Sequence, residues 1–584
     1  MSAAPKRLLI LESNVDVKPE GFDHVFSIAP GPADSYPLEY ILPDEDDRIT
    51  DAFFERFSHF YEQSLRRSEF VFRGVDIFRC FKKTFLNLGS FCDSRFELLG
   101  RVLRSFPLHE VWVEDHAEDL DAPFMKQLIL SGDSKASRHF QVTAPFATLH
   151  RETIQFRTSL HGGAGWWPAQ LSWGSFRGRK VAFFSDIKKI SSVLDSVGRQ
   201  ASILFTDVRS PRIWWEAALT GCAYNQIVLD PRDAEGYNNL AKKFQDVLRK
   251  KNLFQGLGSS GLDWSDLMWR KAQALFKNQL PELLCKIDAM HAFFEKASAL
   301  QGALLDEDIA PAKNAFCQVA AQHQVPAYVV CHGSVGKKSS YLPLTASKIF
   351  VWGRSQREKL KRWGLAESRI VVSGSGRYSP YLKMNVQVAR KKITTRFKMD
   401  PSQKIVLVAF TNSAPHRRRL FVKQQQEFLG EVMELIHEYP EVQFIIKAKN
   451  KKDANSRFCR ESLEKRGLSG RAVLIEEMDP LLLIKSADLA IVHATTFGID
   501  ALALGCPTIS YHDRHCTLWE EFKSFDAFLK ANSREELRLI FGLFLKGDFK
   551  RDDPRFDHAR RECLNSDGPA PEEIIAPILL SAKK

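Results

Sequence analysis

One stretch limits the fold more than any other: Asp488 to Tyr511, which reads DLAIVHATTFGIDALALGCPTISY. The unbroken apolar run Leu489-Ala490-Ile491-Val492 predicts a strand buried on both faces, as in a parallel sheet. It stops at His493-Ala494-Thr495-Thr496, and the residues from Gly498 to Leu504 predict a short helix. Gly505 ends that helix, Pro507 bars its continuation, and Thr508-Ile509-Ser510 opens the next strand. A strand–turn–helix–strand unit follows, with two hydroxyls at the helix N-terminus. Free backbone N–H groups and the helix dipole favour an anion there, a phosphate for example. Ordinary helix capping by the same threonines is the simpler alternative.

The rest of the chain repeats the theme. At 584 residues it exceeds a single core, so at least two domains are expected. Strands are predicted at 300–305, 327–331, 348–353 and 369–373, with helices at 311–323 and 354–363 between them. A second series has strands at 404–410, 442–446 and 472–475 and helices at 421–438, 454–466 and 480–486, and it ends in the opening stretch. Upstream, strands are predicted at 7–12, 110–114, 180–185, 202–207 and 225–229. A long helical pattern covers 262–298, and the Phe-rich segment 50–107 has mostly helical spacing. Residues 116–175, with Gly162-Gly163 and Trp166-Trp167, carry no readable period. Alternating strands and helices imply parallel sheets with right-handed crossovers. The fold class is therefore α/β, with two Rossmann-like parallel-sheet lobes facing a cleft and a large N-terminal extension or insertion. The expected domains are an N-terminal lobe over 1–380 with an insertion at about 50–175, a basic linker at 381–400, a second lobe over 401–545, and a tail at 546–584 packing back on the surface. In such folds ligands sit at the C-terminal ends of the strands.

Composition removes several alternatives. The formal net charge is +12, but Lys and Arg are spread without a long block, so no nucleic-acid partner is expected. The ten cysteines include no CxxC pair and read as reduced thiols of a cytoplasmic protein, with no zinc site. The apolar run Leu8-Leu9-Ile10-Leu11 is too short for a secretory segment, and no run reaches eighteen apolar residues. Peripheral contact with the inner face of a membrane stays compatible with the charge. The sequence does not indicate the oligomeric state.

Three blocks carry a family resemblance: VPAYVVCHGS; KIFVWGRSQREKLKRWGLAESRIVVSGSGRY; and DPLLLIKSADLAIVHATTFGIDALALGCPTI. Over roughly 299–515 the chain resembles nucleotide-sugar glycosyltransferases of the GT-B class. These include bacterial surface-polysaccharide enzymes of sialyl-, Kdo- and glycerophosphate-transferase type, and UDP-GlcNAc 2-epimerases carry similar blocks. The resemblance implies a CMP- or UDP-linked sugar held against the C-terminal lobe, with a glycan or lipid-linked acceptor, as in capsule or lipopolysaccharide synthesis. It implies that Thr495 and Thr496 hold the donor phosphates and that Lys447 assists, with Ala448 and Lys449 replacing the family's Pro and His. Thr411 and the basic residues after it, Arg417, Arg418 and Arg419, match the first loop of the nucleotide lobe. Asp500 stands where relatives carry a ribose-contacting Glu.

The chemistry asks for stabilisation of a departing phosphate and for a base to deprotonate an acceptor hydroxyl. Thr495, Thr496, Lys447 and one of the three arginines suit the first need. His332, at the end of a strand and before Gly333-Ser334, is a candidate phosphate contact or acid/base group. Asp306 and Glu307, with Asp308, are candidate bases at the end of the preceding strand. Asp207, Arg209, Asp186, Glu114 and Asp115 end earlier strands and are alternatives. His493 is placed to orient the threonine turn, and Gly374 and Gly376 to form a tight turn near the pyrophosphate. Asp306-Glu307-Asp308 spells a DxD pattern, but no metal and no other cofactor is expected. Two rival readings are a UDP-GlcNAc 2-epimerase-like isomerase and a glycan- or nucleotide-binding protein without turnover.

Overall fold

The computed structural model describes residues 46–86 except 67, most of 234–296, and 300–581 apart from 332, 337, 411–418, 449–453, 494 and 512–524. It also describes short strands upstream of these. The chain divides into two compact units. The first holds residues up to 182, 204–300 and 309–324; the second holds 183–203, 301–308 and 325–584.

In the first unit, strands β1 (Arg7–Leu11), β2 (His24–Ser27), β3 (Tyr36–Pro37), β4 (Glu110–Glu114) and β5 (Gln141–Thr143) form a parallel sheet in the order β3-β2-β1-β4-β5. Leu9 pairs with Val25 on one side and Trp112 on the other. Outside that sheet, strands form at Lys180–Phe184 and Ser202–Asp207, each divided between the two units, and at Ala223–Gln226, the last two paired in parallel. Helices α1 (Asp46–Phe60), α2 (Ala234–Lys250), α3 (Ser265–Asn278), α4 (Leu280–Lys296) and α5 (Pro311–Gln322) contribute to an aromatic core. The helical pattern at 262–298 is thus two helices, divided at Gln279 before Pro281. Phe70 meets Phe78 edge-to-face at 4.7 Å, and Phe78 also packs on Phe85, Phe254 and Phe276. Each such ring contributes about 1.5–3 kcal/mol on burial, and edge-to-face pairing adds to it. This explains the many Phe residues between 53 and 85.

The second unit carries the three blocks that the resemblance rests on. Strands β6 (Leu300–Leu305), β7 (Ala327–Val330), β8 (Lys348–Val351) and β9 (Ile370–Val372) pair in parallel in that order. A six-stranded parallel sheet follows: β10 (Lys404–Phe410), β11 (Val442–Lys447), β12 (Ala472–Ile475), β13 (Leu489–His493), β14 (Thr508–Tyr511) and β15 (Leu529–Ala531). Its order is β12-β11-β10-β13-β14-β15, the doubly wound arrangement. β10 and β13 are buried and apolar except for the terminal Lys404 and His493, as expected of parallel strands covered on both faces. The α/β fold class with parallel, Rossmann-like sheets is therefore present.

The helices of this unit are α6 (Arg354–Arg362), α7 (Ser379–Leu382), α8 (Val386–Phe397), α9 (Arg419–Glu438), α10 (Ala454–Lys465), α11 (Pro480–Ser486), α12 (Phe497–Ala503), α13 (Arg534–Lys546), α14 (Asp557–Leu564) and α15 (Pro571–Leu580). The stretch expected as a linker, 381–400, is mostly the helix α8, which buries Ala389, Ile393 and Thr394 and packs against α11. Its basic composition suggested a solvated connection, but only part of the helix is solvated: Lys391, Lys392 and Arg396 are exposed, while Arg390 on the inner side is paired with Asp488. The tail region carries α14 and α15. α14 packs on α6 so closely that a Cβ on Gly353 would collide with the backbone of Glu562 and Cys563.

Candidate functional site

Strand order places the site before any side chain is considered. β10 and β13 are neighbours from which the chain winds outwards in opposite directions, so their C-terminal ends form the topological switch point of the sheet. Phe410 and His493 are paired across that point. The turn after β13 therefore emerges where doubly wound sheets take ligands.

Within the turn, Thr495 is half-buried and Thr496 exposed. Thr495 Oγ1 lies 3.4 Å from the Phe497 N–H, a long contact, and the Thr496 side chain makes no capping bond. The N–H groups of Gly498 and Ile499 turn back to the carbonyls of Thr495 and Thr496 at 3.3 and 3.0 Å. Donors to an anion here are therefore chiefly the two hydroxyls, with the dipole behind them. His493 is completely buried and stacks on Phe428 at 5.3 Å with 21° between the rings, so it supports the turn from within the core.

Asp500 lies one turn into α12 and is 4% exposed. The Tyr378 hydroxyl donates to its Oδ1 at 2.8 Å, and Arg377 Nη2 donates to Oδ2 at 3.2 Å. Burial raises the Asp500 carboxyl, while Arg377 and the Tyr378 hydroxyl draw it back down. Both partners follow Gly376, at the end of the loop after β9. The carboxylate that the resemblance assigned to a ribose is held by this chain's own residues. It latches the β9 loop to the first turn of α12. Neither Arg377 nor Tyr378 is given a role by the sequence. The signal was an Asp set in the apolar run Ile499–Leu504, since a buried carboxylate needs partners.

The loop after β9 has a second anchor. Gly374 has φ +75, a left-handed conformation that favours glycine, and a Cβ there would press on Pro571 at 3.3 Å and on the Leu564 carbonyl at 3.4 Å. Gly376 is buried at the start of a 3-10 turn. Gly374 thus serves packing against α14 and α15.

Lys447 ends β11, and its Nζ donates to the backbone carbonyls of Ala448 and Glu476, the latter at 2.8 Å. It holds a strand-end loop together. After β7, Trp352 Nε1 donates to the Cys331 carbonyl at 2.8 Å, Gln356 Nε2 to the Gly333 carbonyl at 3.1 Å, and Tyr341 to the Ser334 carbonyl at 3.1 Å. The Gly333–Ser334 turn is thereby fixed, and a Cβ on Gly333 would meet nothing within 4 Å. Of the acidic set after β6, Asp306 is buried and Glu307 half-buried. Asp308 Oδ2 accepts from the Ala346 N–H at 2.8 Å and also from the Thr345 N–H. Asp308 therefore organises the loop before β8.

His332, Thr411, Arg417, Arg418, Lys449, Asp186, Arg209 and Asp115 lie outside the described residues, as do the side chains of Arg419, Asp207 and Glu114. Among the described residues no His, Cys, Asp and Glu cluster could hold a metal ion, and no helix is long and apolar enough to cross a membrane.

No family model and no curated protein matches the sequence. Solved structures of similar overall form include UDP-GlcNAc 2-epimerase from Neisseria meningitidis bound to UDP-GlcNAc, 13% identical, TM-score 0.43, covering 69% of this chain and 100% of that one. They also include UDP-GlcNAc 2-epimerase from Methanocaldococcus jannaschii, 15% identical, TM-score 0.42, covering 66% and 99%. Anabaena HepE in complex with UDP-glucose is 10% identical, TM-score 0.44, covering 69% and 100%. At these identities and scores the likeness assigns neither substrate nor reaction.

Proposed function

We propose that this protein is an enzyme acting on a nucleotide sugar, with the substrate's phosphates held by Thr495 and Thr496. The observation that carries the reading is the position of this turn. Two threonine hydroxyls stand at the switch point of a doubly wound sheet, at the mouth of a helix, where a phosphate gains most from hydroxyl and dipole together. Arg377 offsets the charge of Asp500 in the same helical turn, so that carboxylate does not repel an incoming anion.

Two reactions suit such a site. In glycosyl transfer, Glu307 or Asp306 would deprotonate the acceptor, His332 would contact phosphate or sugar, and no metal would be required. In the second, the bound UDP-sugar is epimerised at C2, the activity named for two of the solved structures above. Asp308 is committed to the Thr345 and Ala346 backbone, which leaves Asp306 and Glu307 as the acids open to the transfer reading.

The test has two stages. Thermal shift against UDP, CMP, GDP and CDP reports binding, because a ligand of the folded state raises its melting temperature. The Thr495→Ala/Thr496→Ala variant should lose that shift while keeping its unliganded melting temperature; an unchanged shift refutes the phosphate assignment. NMR of the protein incubated with UDP-GlcNAc then separates the reactions. Epimerisation changes the configuration at C2 with no acceptor present, whereas transfer releases nucleotide only when an acceptor is added.

A further inference from the structure

The surface formed by α7 and α8 combines two properties that occur together nowhere else among the described residues. Segment 380–399 contains Lys383, Arg390, Lys391, Lys392, Arg396 and Lys398 and no Asp or Glu. Leu382, 57% exposed, and Val388, 49% exposed, are two of the four large apolar side chains exposed among the described residues.

Helical periodicity sorts these residues. Ala389, Ile393 and Thr394 point inward, and Arg390 on that side is bound to Asp488 at 2.9 Å and to the Pro401 carbonyl at 3.1 Å. On the opposite face Gln387, Val388, Lys391, Lys392 and Thr395 are all exposed. Lys391 and Lys392 lie three and four residues beyond Val388 and so flank it on the helix surface. Lys383 follows Leu382 directly, and Arg396 and Lys398 continue the basic face. Among the described residues the nearby carboxylates are occupied. Asp488 holds Arg390 and the Ile405 N–H, Asp479 takes the Tyr381 hydroxyl and the Leu481 N–H, and Asp400 is bound by Ser402.

We propose that the α7–α8 face docks on an anionic lipid bilayer. Charge alone would fit any polyanion. A bilayer surface also takes in the apolar side chains: Leu382 and Val388 enter the headgroup–acyl boundary while the lysine stems extend outward to anionic headgroups. A nucleic-acid backbone would leave those side chains without an apolar partner. The contact is shallow and mainly electrostatic. It does not depend on which reaction the protein catalyses.

Sedimentation of the full-length protein with vesicles tests it. One vesicle set is phosphatidylcholine alone, and the other contains phosphatidylcholine with phosphatidylglycerol. Binding is expected to the anionic vesicles only and to fall with salt. Each lysine at an anionic surface strengthens partitioning about fivefold, so Lys391→Gln/Lys392→Gln should weaken it about 25-fold. Leu382→Ser/Val388→Ser should weaken it roughly tenfold by the loss of apolar insertion. Leu539→Ser, at a distant exposed site, should leave it unchanged, and melting curves of all variants should match the parent. Three outcomes overturn the proposal: equal binding to neutral vesicles; parent-like binding by the glutamine variant; or loss with glutamine but full binding by the serine variant, which would make the face a general polyanion site.

Discussion

Replacing Arg377 with Met isolates the energetics of the Asp500 latch. Methionine keeps much of the apolar stem of Arg377 but removes the guanidinium. Asp500 is 4% exposed and would keep a single side-chain partner, the Tyr378 hydroxyl at 2.8 Å. Removing one member of a buried ion pair costs about 3–5 kcal/mol because the other charge is left uncompensated. The remaining hydrogen bond offsets part of this, so a loss of about 3 kcal/mol is expected at pH 8. The pH dependence carries the sharper test. Burial already raises the Asp500 carboxyl and Arg377 works against that, so its removal moves the carboxyl higher still. Between the ordinary carboxylate value and the raised one, the folded state then holds a proton that the unfolded state has released. Stability in that window falls as pH rises, by about 1.4 kcal/mol per pH unit. The penalty should be clearly smaller at pH 5 than at pH 8, as read from urea midpoints of parent and variant. Adding Asp500→Asn to Arg377→Met removes the stranded charge and should restore most of the loss at pH 8. A penalty equal at both pH values, or no recovery in the double variant, refutes the reasoning.

Lys82 offers the opposite sign. It is 5% exposed with its ammonium 4.9 Å from the centre of the Tyr61 ring, and burial, aided by Arg79, lowers its pKa to about 8. Above that value and below the ordinary lysine one, the unfolded state binds the extra proton, so stability rises with pH. Lys82→Met should flatten this slope, measured as urea midpoints between pH 7 and 10. Gly353→Ala should destabilise by roughly 1–3 kcal/mol through overpacking, because the obstacle is the Cys563 backbone and cannot rotate away; limited proteolysis should then cut first around α14.

Legibility varied with the physical signal. β10 was readable to the residue because a six-residue apolar run, Ile405–Phe410, bounded by Lys404 and Thr411 has few other uses. β13, the turn and α12 came within one residue, since Gly505 has φ +69 and marks the helix end by a conformation few residues adopt. Segment 381–400 was misleading because its basic residues resemble a linker in one dimension; only the three-dimensional face shows Ala389 and Ile393 inside. Lys447 and Asp308 illustrate a deeper limit. A charged residue at a strand end has the same sequence signature whether it waits for a ligand or caps its own backbone carbonyls and amides. The Arg377–Asp500 pair was invisible because its members are far apart in the chain.

The packing of α14 and α15 bears on how the molecule is made. A Cβ on Gly302, in β6, would meet the Leu579 carbonyl at 3.3 Å, and Gly374, just after β9, sits against Pro571 and Leu564. The β6–β9 sheet is thus sealed by helices encoded beyond the whole of the six-stranded sheet. During synthesis its strands leave the ribosome long before their cover does, with apolar surface waiting in the interval. The six-stranded sheet, by contrast, follows one continuous stretch of chain. Assembly should therefore run against the order of the sequence, the later sheet consolidating first and the earlier one closing last.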